Sequence, residues 1–371
     1  MTQTYSTDCT EYSTETIANQ LATLGLPFTD LLARALTALL SGRKATLHQI
    51  ATLLPGPQQA QSTEAKRQQL RRLLDHPALT PERWARAVAS LLPKSKWVLA
   101  LDRTQWKVGN KPVNLLVLAV VHAGCAVPIL WNVLDKPGAS DTHERKQLLQ
   151  RFLALFGTQA IRFLSADREF IGRDWIAWLL SEKVPFRIRI KAGEWLRHED
   201  GRQRRASDWF ALRACACKKR RFWLWGLPVF VGGIRDALAR RKRLRRGEQS
   251  FLVVISNAYQ DDVLAEYRLR WKVETLLQAL KGRGFDMEAS RLIEAHRLSA
   301  FFGLLWLALC WCLKVGAFVR QVAPLPLKKH GRAPVSTFGR GLARLQTLLA
   351  PLAGTPCHAC FVQTVGLLCP A

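Results

Sequence analysis

Four side chains able to bind charge or phosphate recur at helical spacing in the last third of the chain: Tyr267, Arg270, Glu274 and Lys281. At about 100° per residue they fall within roughly 60° of one another on a helix predicted over 261–281. Apolar residues such as Val273 and Leu276 fall on the opposite face. A polar stripe of this kind is typical of a solvated helix surface, so its chemistry depends on what lies beside it.

Two aspartates supply further acidic groups. Asp102 follows the apolar run 97–101 and Asp167 follows 161–166, so both are predicted at the ends of strands. An isolated acid there commonly caps a helix or forms a salt bridge, but a carboxylate on a buried sheet is costly unless it is paired or binds metal. Together with Glu274 the two aspartates would form a hard oxygen-ligand set suited to Mg²⁺ or Mn²⁺. Two such ions about 3.5–4 Å apart promote in-line phosphoryl displacement.

The segment that carries both aspartates alternates strands and helices. A long helix begins at Asp141 and ends at Gly157, and a short helix is predicted around 175–180. Strands are predicted over 97–101, 113–121, 127–133, 161–166 and 184–190. The long helix can cross over to a parallel strand. The pattern predicts an α/β fold with a mixed five-stranded sheet and flanking helices.

The first 93 residues are predicted to be helical, with helix starts at Thr46, at Ser62 or Thr63, and at Thr80. The second of these helices is basic and includes Lys66, Arg67 and Arg71. Two short helices with a basic second member suit a helix-turn-helix-like DNA reader. The alternative is an ordinary helical bundle with a solvated basic face.

Residues 191–260 are predicted to contain short strands, at 222–231 and 251–256, between basic runs at 218–221 and 240–246. Basic runs of this kind are typical either of solvated loops or of loops that bind phosphate, and both interpretations remain open here. The chain is then predicted to be helical to about 319, where Pro324 and Pro326 follow, and a last helix is predicted over 337–349.

Composition narrows the class of protein. Lys and Arg number 55 against 28 Asp and Glu, a net charge of +27 that indicates a polyanionic partner, most simply nucleic acid. Nine scattered cysteines and polar first residues indicate a reducing cytoplasm, with no disulfide framework and no signal peptide. The apolar run 301–313 is too short to span a membrane and is predicted to be a core helix. No nucleotide-binding glycine motif is present, and the lone C-x-x-C at 357–360 is a weak zinc signal.

The motifs carry a family resemblance. Asp102 in LALD, Asp167 in SADREF and the Y-x2-R-x3-E-x6-K run from Tyr267 to Lys281 together resemble the DDE transposases of bacterial insertion sequences. The Y-R-E-K spacing is similar to that of the insertion-sequence-four family. The resemblance covers about residues 96–285 and is weaker in the N-terminal helices and in 336–342.

The resemblance implies an RNase H-like catalytic core with a β-rich insertion between the second Asp and the Glu, an α-helical N-terminal domain and a helical C-terminal region. The N-terminal domain would span 1–93 and the C-terminal region 323–371. The catalytic core would span 94–190 and 261–322, with the β-rich insertion at 191–260 between its two parts. It also implies that Asp102, Asp167 and Glu274 hold two Mg²⁺ or Mn²⁺ ions. Arg270 and Lys281 would bind DNA phosphates, and Tyr267 would position a terminal phosphate.

In this family cut-and-paste transposition proceeds by hydrolysis at the end of the element, a hairpin intermediate and attack of the 3′-OH on target DNA, with no nucleotide cofactor. The implied partners are the terminal inverted repeats and target DNA, bound by a homodimer. Some relatives hold a flipped base on an aromatic ring. The candidates for this role here are Trp209, Trp223 and Trp225, and the alternative is that these side chains pack in the core. Two other functions remain open: a metal-dependent nuclease or junction resolvase, and a catalytically silent DNA-binding relative.

Other groups compete for these roles. Asp141 and Asp174 are placed where helix caps belong, and Glu144 suits a first helical turn. Glu169 and Asp236 are further acids near the same elements. His122 and His143 could act as general bases, but two-metal phosphoryl transfer does not require histidine.

Overall fold

The computed structural model describes residues 4–55, 61–122, 124–210, 216–235, 251–281, 284–326, 333–349 and 358–367. Asp236, the basic run 240–246 and Cys357 lie outside these residues. Within them one mixed sheet of ten strands carries helices from both ends of the chain.

The N-terminal part is helical, as predicted. Its helices are α1 (Thr4–Thr23), α2 (Thr29–Gly42), α3 (Leu47–Thr52), α4 (Thr63–Leu74) and α5 (Pro81–Ser90). At the three predicted helix starts a side-chain hydroxyl accepts a hydrogen bond from a backbone N–H three residues later: Thr46 from Gln49, Ser62 from Ala65, and Thr80 from Arg83. These bonds satisfy N–H groups that have no partner inside the helix, and they confirm the three helix starts.

The next segment contains the five predicted strands and two predicted helices. They are β1 (Trp97–Val108), β2 (Lys111–His122), β3 (Cys125–Leu134), α6 (Thr142–Phe156), β4 (Ile161–Ala166), α7 (Arg173–Ser181) and β5 (Phe186–Ile190). β1 pairs antiparallel with β2 and parallel with β4, and β4 pairs parallel with β5. The mixed five-stranded arrangement is therefore present in the order β3-β2-β1-β4-β5.

β1 corrects one prediction. Asp102 lies in the middle of this strand, opposite Val117 of β2, and not at its end. Beyond Asp102 the continuous apolar run gives way to alternation, in which Thr104 and Trp106 are buried and Gln105 is exposed. Alternation of this kind is the pattern of a strand with one buried face, so the strand continues past the aspartate.

The segment predicted as an insertion extends the same sheet. It contains β6 (Trp195–His198), β7 (Gln203–Arg205), β8 (Ala216–Leu224), β9 (Leu227–Arg235) and β10 (Phe251–Ser256). The prediction of one strand over 222–231 is wrong, because Trp225 and Gly226 both adopt positive φ and close a hairpin between β8 and β9. β10 pairs with both β5 and β9, so the sheet runs unbroken to β7 in the order β5-β10-β9-β8-β6-β7.

The helix predicted over 261–281 is divided into α8 (Val263–Arg268) and α9 (Trp271–Leu280). Across the junction the backbone N–H groups of Arg270, Lys272 and Val273 donate to carbonyls three residues earlier. This is the tighter 3₁₀ pattern, which within helices often marks a functional position.

The remaining helices are α10 (Ala295–Val322), α11 (Thr337–Leu349) and α12 (His358–Gly366). The predicted core helix is confirmed as the central part of α10. α12 was not predicted. The sequence also contains a basic stretch, Lys328-Lys329-His330-Gly331-Arg332, which lies outside the described residues. α10 is long and apolar enough to cross a membrane, but 72% of its most apolar window is buried inside the protein.

Glycines bring α10 close to its neighbours. A Cβ atom on Gly303 would lie 2.2 Å from the Trp84 ring of α5, and one on Gly316 would lie 1.9 Å from the Thr337 carbonyl oxygen of α11. Both distances are too short for a side chain. α10 thereby joins the N-terminal helices, the sheet and α11 in one core.

Candidate active site

Arg270 is the centre of a cluster that contains all three predicted acids. Its side chain is only 3% exposed. Its Nη2 donates to Glu274 Oε1 at 2.6 Å, and its Nη1 lies 3.5 Å from Asp102 Oδ2. Its Nε donates to the Tyr267 hydroxyl at 3.1 Å, and that hydroxyl donates to Asp167 Oδ1 at 3.2 Å. One buried cation is thus connected to three carboxylates from β1, the end of β4 and α9.

The α8–α9 junction places Tyr267 and Arg270 against the sheet. Tyr267 is buried with Leu252 and Val254 of β10, and Arg270 follows it by three residues across the 3₁₀ turn. The prediction that the whole polar stripe faces outward is therefore wrong for these two residues. Glu274, one turn later, is 50% exposed and forms the open side of the cluster.

The Asp102 carboxylate lies in the least favourable environment of the three. Its side chain is 14% exposed, and burial raises its pKa from 3.8 to about 6. The hydrogen bond from the Arg103 N–H, at 2.8 Å, and the Arg270 charge act in the opposite direction. Glu169 and Glu274 raise the pKa further through their negative charge. Near neutral pH Asp102 therefore holds a charge that its surroundings only partly compensate.

Asp167 is similarly anchored but more exposed. The Arg168 N–H donates to its Oδ1 at 2.8 Å, and Arg189 Nη1 of β5 lies 3.7 Å from the same oxygen. Sequence reasoning missed Arg189. The available signal was its position on the strand next to β4, two residues beyond Arg187, which is buried and donates to Glu266 at 2.7 Å.

Tyr267 and Arg270 stay in their ordinary protonation states. Burial raises the pKa of Tyr267 to about 12, so the phenol keeps the proton that it donates to Asp167. Burial alone would lower the pKa of Arg270, but Tyr267 and the surrounding acids hold it above its usual value. The guanidinium remains charged.

Lys281 lies beyond the end of α9 and does not contact the three acids. Its Nζ lies 3.0 Å from Glu288 Oε1 and donates to the Gln105 carbonyl at 3.3 Å. A second ion pair flanks the cluster, where Arg103 Nη2 lies 3.5 Å from Glu169 Oε2. Of the competing acids, Glu169 is thus the one placed beside Asp102.

The other competing residues that the structure describes lie in helix caps, in a first helical turn or on the surface. Asp141 and Glu144 form the capping box of α6, and Lys136 pairs with both. Asp174 lies in the first turn of α7. His122 and His143 are exposed.

The aromatic candidates are partly buried. Trp209 packs on His198 and Phe222, and Arg197 lies over the Trp223 ring. Trp225 is also partly buried. Two tryptophans outside the predicted set, Trp195 and Trp271, are about half exposed.

Among the described residues, the predicted DNA-binding side chains of α4 form no ion pair or hydrogen bond with the three acids. Lys66 is 8% exposed, so it does not belong to an open basic face. Arg67 pairs with Glu64 at 2.7 Å, and Arg71 is partly buried. The helix therefore offers fewer free cations than its sequence indicates.

The donor chemistry of the cluster fits a hard divalent cation, because its acids are all carboxylates. The described part of the chain holds no group of three or more Asp, Glu, His or Cys side chains close enough together to bind a metal ion. The acids are arranged around the Arg270 guanidinium instead. For the carboxylates to share a metal ion, this guanidinium would have to leave its position between Asp102 and Glu274.

Comparison with protein families gives one match. Residues 93–313, more than half of the chain, match a family model described as the transposase DDE domain. The matched range contains β1, the end of β4 and α9, which carry Asp102, Asp167 and Glu274. A search of curated protein sequences found no match.

Proposed function

Because the chain belongs to the transposase DDE domain family, we propose that it is a DNA transposase in which Asp102, Asp167 and Glu274 form the catalytic centre. Membership implies an enzyme of the polynucleotidyl transferase and nuclease class. The observation that carries the proposal is the Arg270–Tyr267 pair, which links carboxylates from three separate elements inside the family domain. Asp102 and Glu274 pair with the same buried cation, and Asp167 is connected to it through the Tyr267 hydroxyl.

The three carboxylates are the proposed ligands of Mg²⁺ or Mn²⁺, and two ions are expected, as in other two-metal phosphoryl transfer enzymes. Bound divalent ions would supply charge stabilisation to the attacking and leaving oxygens. Asp102 supports this assignment, because a carboxylate with a pKa of about 6 in the absence of an ion is stabilised by any added positive charge.

The protein's own cations have complementary roles. Arg270 pairs with Asp102 and Glu274, compensates part of their negative charge and keeps them near each other. Its planar guanidinium can bind a DNA phosphate bidentately once it is released from Glu274. Tyr267 holds Asp167 through a proton that it retains, and Lys281 is a point charge for a phosphate further from the cluster.

The finer assignments follow from the same residues. The strand order β3-β2-β1-β4-β5 and its directions support an RNase H-like core. The spacing of Tyr267, Arg270, Glu274 and Lys281 supports an insertion-sequence-four relative. We infer from this likeness a hairpin intermediate, binding of terminal inverted repeats and target DNA, a homodimer and a cytoplasmic location. α4, through Arg67 and Arg71, would contribute to recognition of the ends.

The test uses DNA from the chain's own gene. Purified protein is incubated with Mg²⁺, a target plasmid and a labelled linear fragment that carries the coding sequence with its natural flanking DNA. Glu274→Gln is compared with Asp262→Asn, which removes one exposed carboxylate from the first residues of the same segment. Hairpin ends and strands joined to the plasmid are then separated by electrophoresis.

Wild type and Asp262→Asn are expected to give hairpins and joined products, whereas Glu274→Gln should bind the fragment and give neither. Cleavage without joining would favour the nuclease alternative. Binding by wild type without metal-dependent cleavage would leave the silent DNA-binding relative.

A further inference from the structure

A polar cleft separates the N-terminal helices from the segment between α9 and α10. It has a volume of about 620 Å³ and is lined on one side by Lys44, His48, Arg67 and Arg71. The other side is formed by Asp286, residues 289–294 and Arg297. The two sides are joined where the Ala45 N–H donates to the Phe285 carbonyl at 2.6 Å. The cleft is therefore composite, built from both the N-terminal helices and the core.

The cleft has an excess of positive charge. Five Lys and Arg side chains line it, against the acids Asp286 and Glu294. Arg297 is neutralised by Asp75 and Arg67 by Glu64. Among the described residues no ion pair or hydrogen bond engages the side chains of Lys44, Arg71 or Arg291. Arg67 Nε is buried and has no hydrogen-bond partner among the same residues.

The free cations come from three separate elements. Lys44 lies between α2 and α3, Arg71 lies on α4, and Arg291 follows the short 3₁₀ turn Met287–Ser290. Cations that do not neutralise a local acid repel one another, and a fold does not need this arrangement. An extended polyanion would relieve that repulsion.

The cleft is connected to the candidate active site through one short segment. Lys281 contacts Gln105, three residues beyond Asp102 on β1, and also Glu288 of the 3₁₀ turn. The next residues of that turn, Ala289 and Ser290, line the cleft. A strand bound at the acid cluster could therefore continue past Lys281 into the cleft.

We propose that this cleft binds the phosphate backbone of duplex DNA next to the position where it is cut, through Lys44, Arg71 and Arg291. The inference rests on the proposed function and extends it from the acid cluster to a second surface. It keeps Arg71 of α4 and replaces the buried Lys66 and the paired Arg67 with Lys44 and Arg291 from outside that helix. The segment after α9 would then hold DNA jointly with the N-terminal helices.

The test measures binding separately from catalysis. A fluorescently labelled duplex of arbitrary sequence is titrated with protein at several KCl concentrations between about 50 and 200 mM, in EDTA. The variant Lys44→Ala/Arg71→Ala/Arg291→Ala is compared with Lys94→Ala/Lys96→Ala/Lys183→Ala. The control removes three exposed cations that precede β1 and β5. These strands run parallel to β4, so their starting ends lie opposite the end of β4 that is followed by Asp167. The charge-retaining variant Lys44→Arg/Arg71→Lys/Arg291→Lys and the melting temperatures separate loss of charge from loss of fold.

The cleft variant should bind the duplex roughly ten- to a hundredfold more weakly than wild type. The slope of log K against log [KCl] should become smaller in magnitude by about 2–3, because each lost phosphate contact removes about 0.9 from that slope. The charge-retaining variant should restore most of the affinity. Equal losses in the cleft and control variants, or no loss in either, would overturn the inference while leaving the cleavage test above intact. If the wild-type chain does not bind DNA at all, the proposed function fails together with it.

Discussion

Two of the ionic clusters among the described residues differ in burial and in the balance of their charges. On the outside, Asp75 at the end of α4 meets Arg297 and His296 of α10, with 2.6 Å between Asp75 Oδ1 and Arg297 Nε. These partners lower the pKa of Asp75, chiefly through the hydrogen bond from Arg297. At the candidate active site Arg270 is shared between Asp102 and Glu274, and burial raises the pKa of Asp102 to about 6.

The difference separates an ion pair that joins two helices from a cluster in which the charge of a buried carboxylate is only partly compensated. Asp75 is satisfied by the folded chain, so its charge favours the native state. Asp102 is charged at a cost, and only further positive charge would remove that cost. Perturbed carboxylates of this kind are concentrated at functional sites. The predictions below test whether the two clusters respond in opposite directions.

The largest stability effect is expected from Arg270→Met. Removing the shared cation leaves the largely buried Asp102 carboxylate without its positively charged neighbour, which should lower the free energy of unfolding in EDTA by about 3–5 kcal/mol. Mg²⁺ should then stabilise this variant more than wild type, because the position between Asp102 and Glu274 is vacated. Denaturant unfolding with and without Mg²⁺ measures both effects. Arg162→Met, which removes an exposed arginine paired with Glu266, is the control and should change little.

Asp102→Asn should stabilise the metal-free protein while abolishing cleavage. A pKa raised from 3.8 to about 6 makes the folded state the stronger proton binder, so stability falls as pH rises through that window. Above pH 6 the charged form costs the fold about 3 kcal/mol, and Asn removes this cost. Melting in EDTA should therefore show a gain for the variant at pH 8 and none near pH 3.5. If the difference in stability between Asp102→Asn and wild type were the same at both pH values, the charged Asp102 carboxylate would not be costly to the fold.

Asp75→Asn should have the smallest effect and the opposite sign. Because the folded-state pKa of Asp75 is lowered, its contribution is present above the ordinary value of 3.8 and is lost as pH falls below it. The pair is partly exposed, so the loss at pH 7 should be under about 1 kcal/mol. Melting temperatures at pH 7 and pH 3 measure this difference, and a gain at pH 7 would remove the distinction between the two clusters.

Most of the sheet could be predicted from the sequence, because each strand carries a local signal. Nearly continuous apolar runs, separated by turns at Gly109 and Gly124, located the first three strands, and Asp141 located the start of α6. The full length of β1 was not predicted because Asp102 was taken as the residue at which the strand ends. The β8–β9 hairpin was missed because its turn uses Trp225 at positive φ, a conformation that is uncommon for a bulky residue.

The site could be predicted as a set of residues but not as an arrangement. Spacing brought Tyr267, Arg270 and Glu274 to one helix face, and the fold does join them. Sequence could not reveal the 3₁₀ turn that buries Arg270, since Leu269 and Arg270 keep helical φ and ψ and only the hydrogen-bond partners change. It also could not reveal Arg189, which becomes a neighbour of Asp167 through strand pairing.

The most direct test of the central claim replaces a proposed carboxylate ligand by a thiol. Asp167→Cys and the control Asp262→Cys are assayed for cleavage of the natural flanking DNA with Mg²⁺ and with Mn²⁺. A thiolate is a poor ligand for Mg²⁺ and a better one for softer ions. Asp167→Cys should be inactive in Mg²⁺ and active again in Mn²⁺, whereas the control should cleave with either ion. If Mn²⁺ restores no activity to Asp167→Cys, or if Mg²⁺ supports it at the wild-type rate, the account of a carboxylate-held divalent ion at this cluster is contradicted.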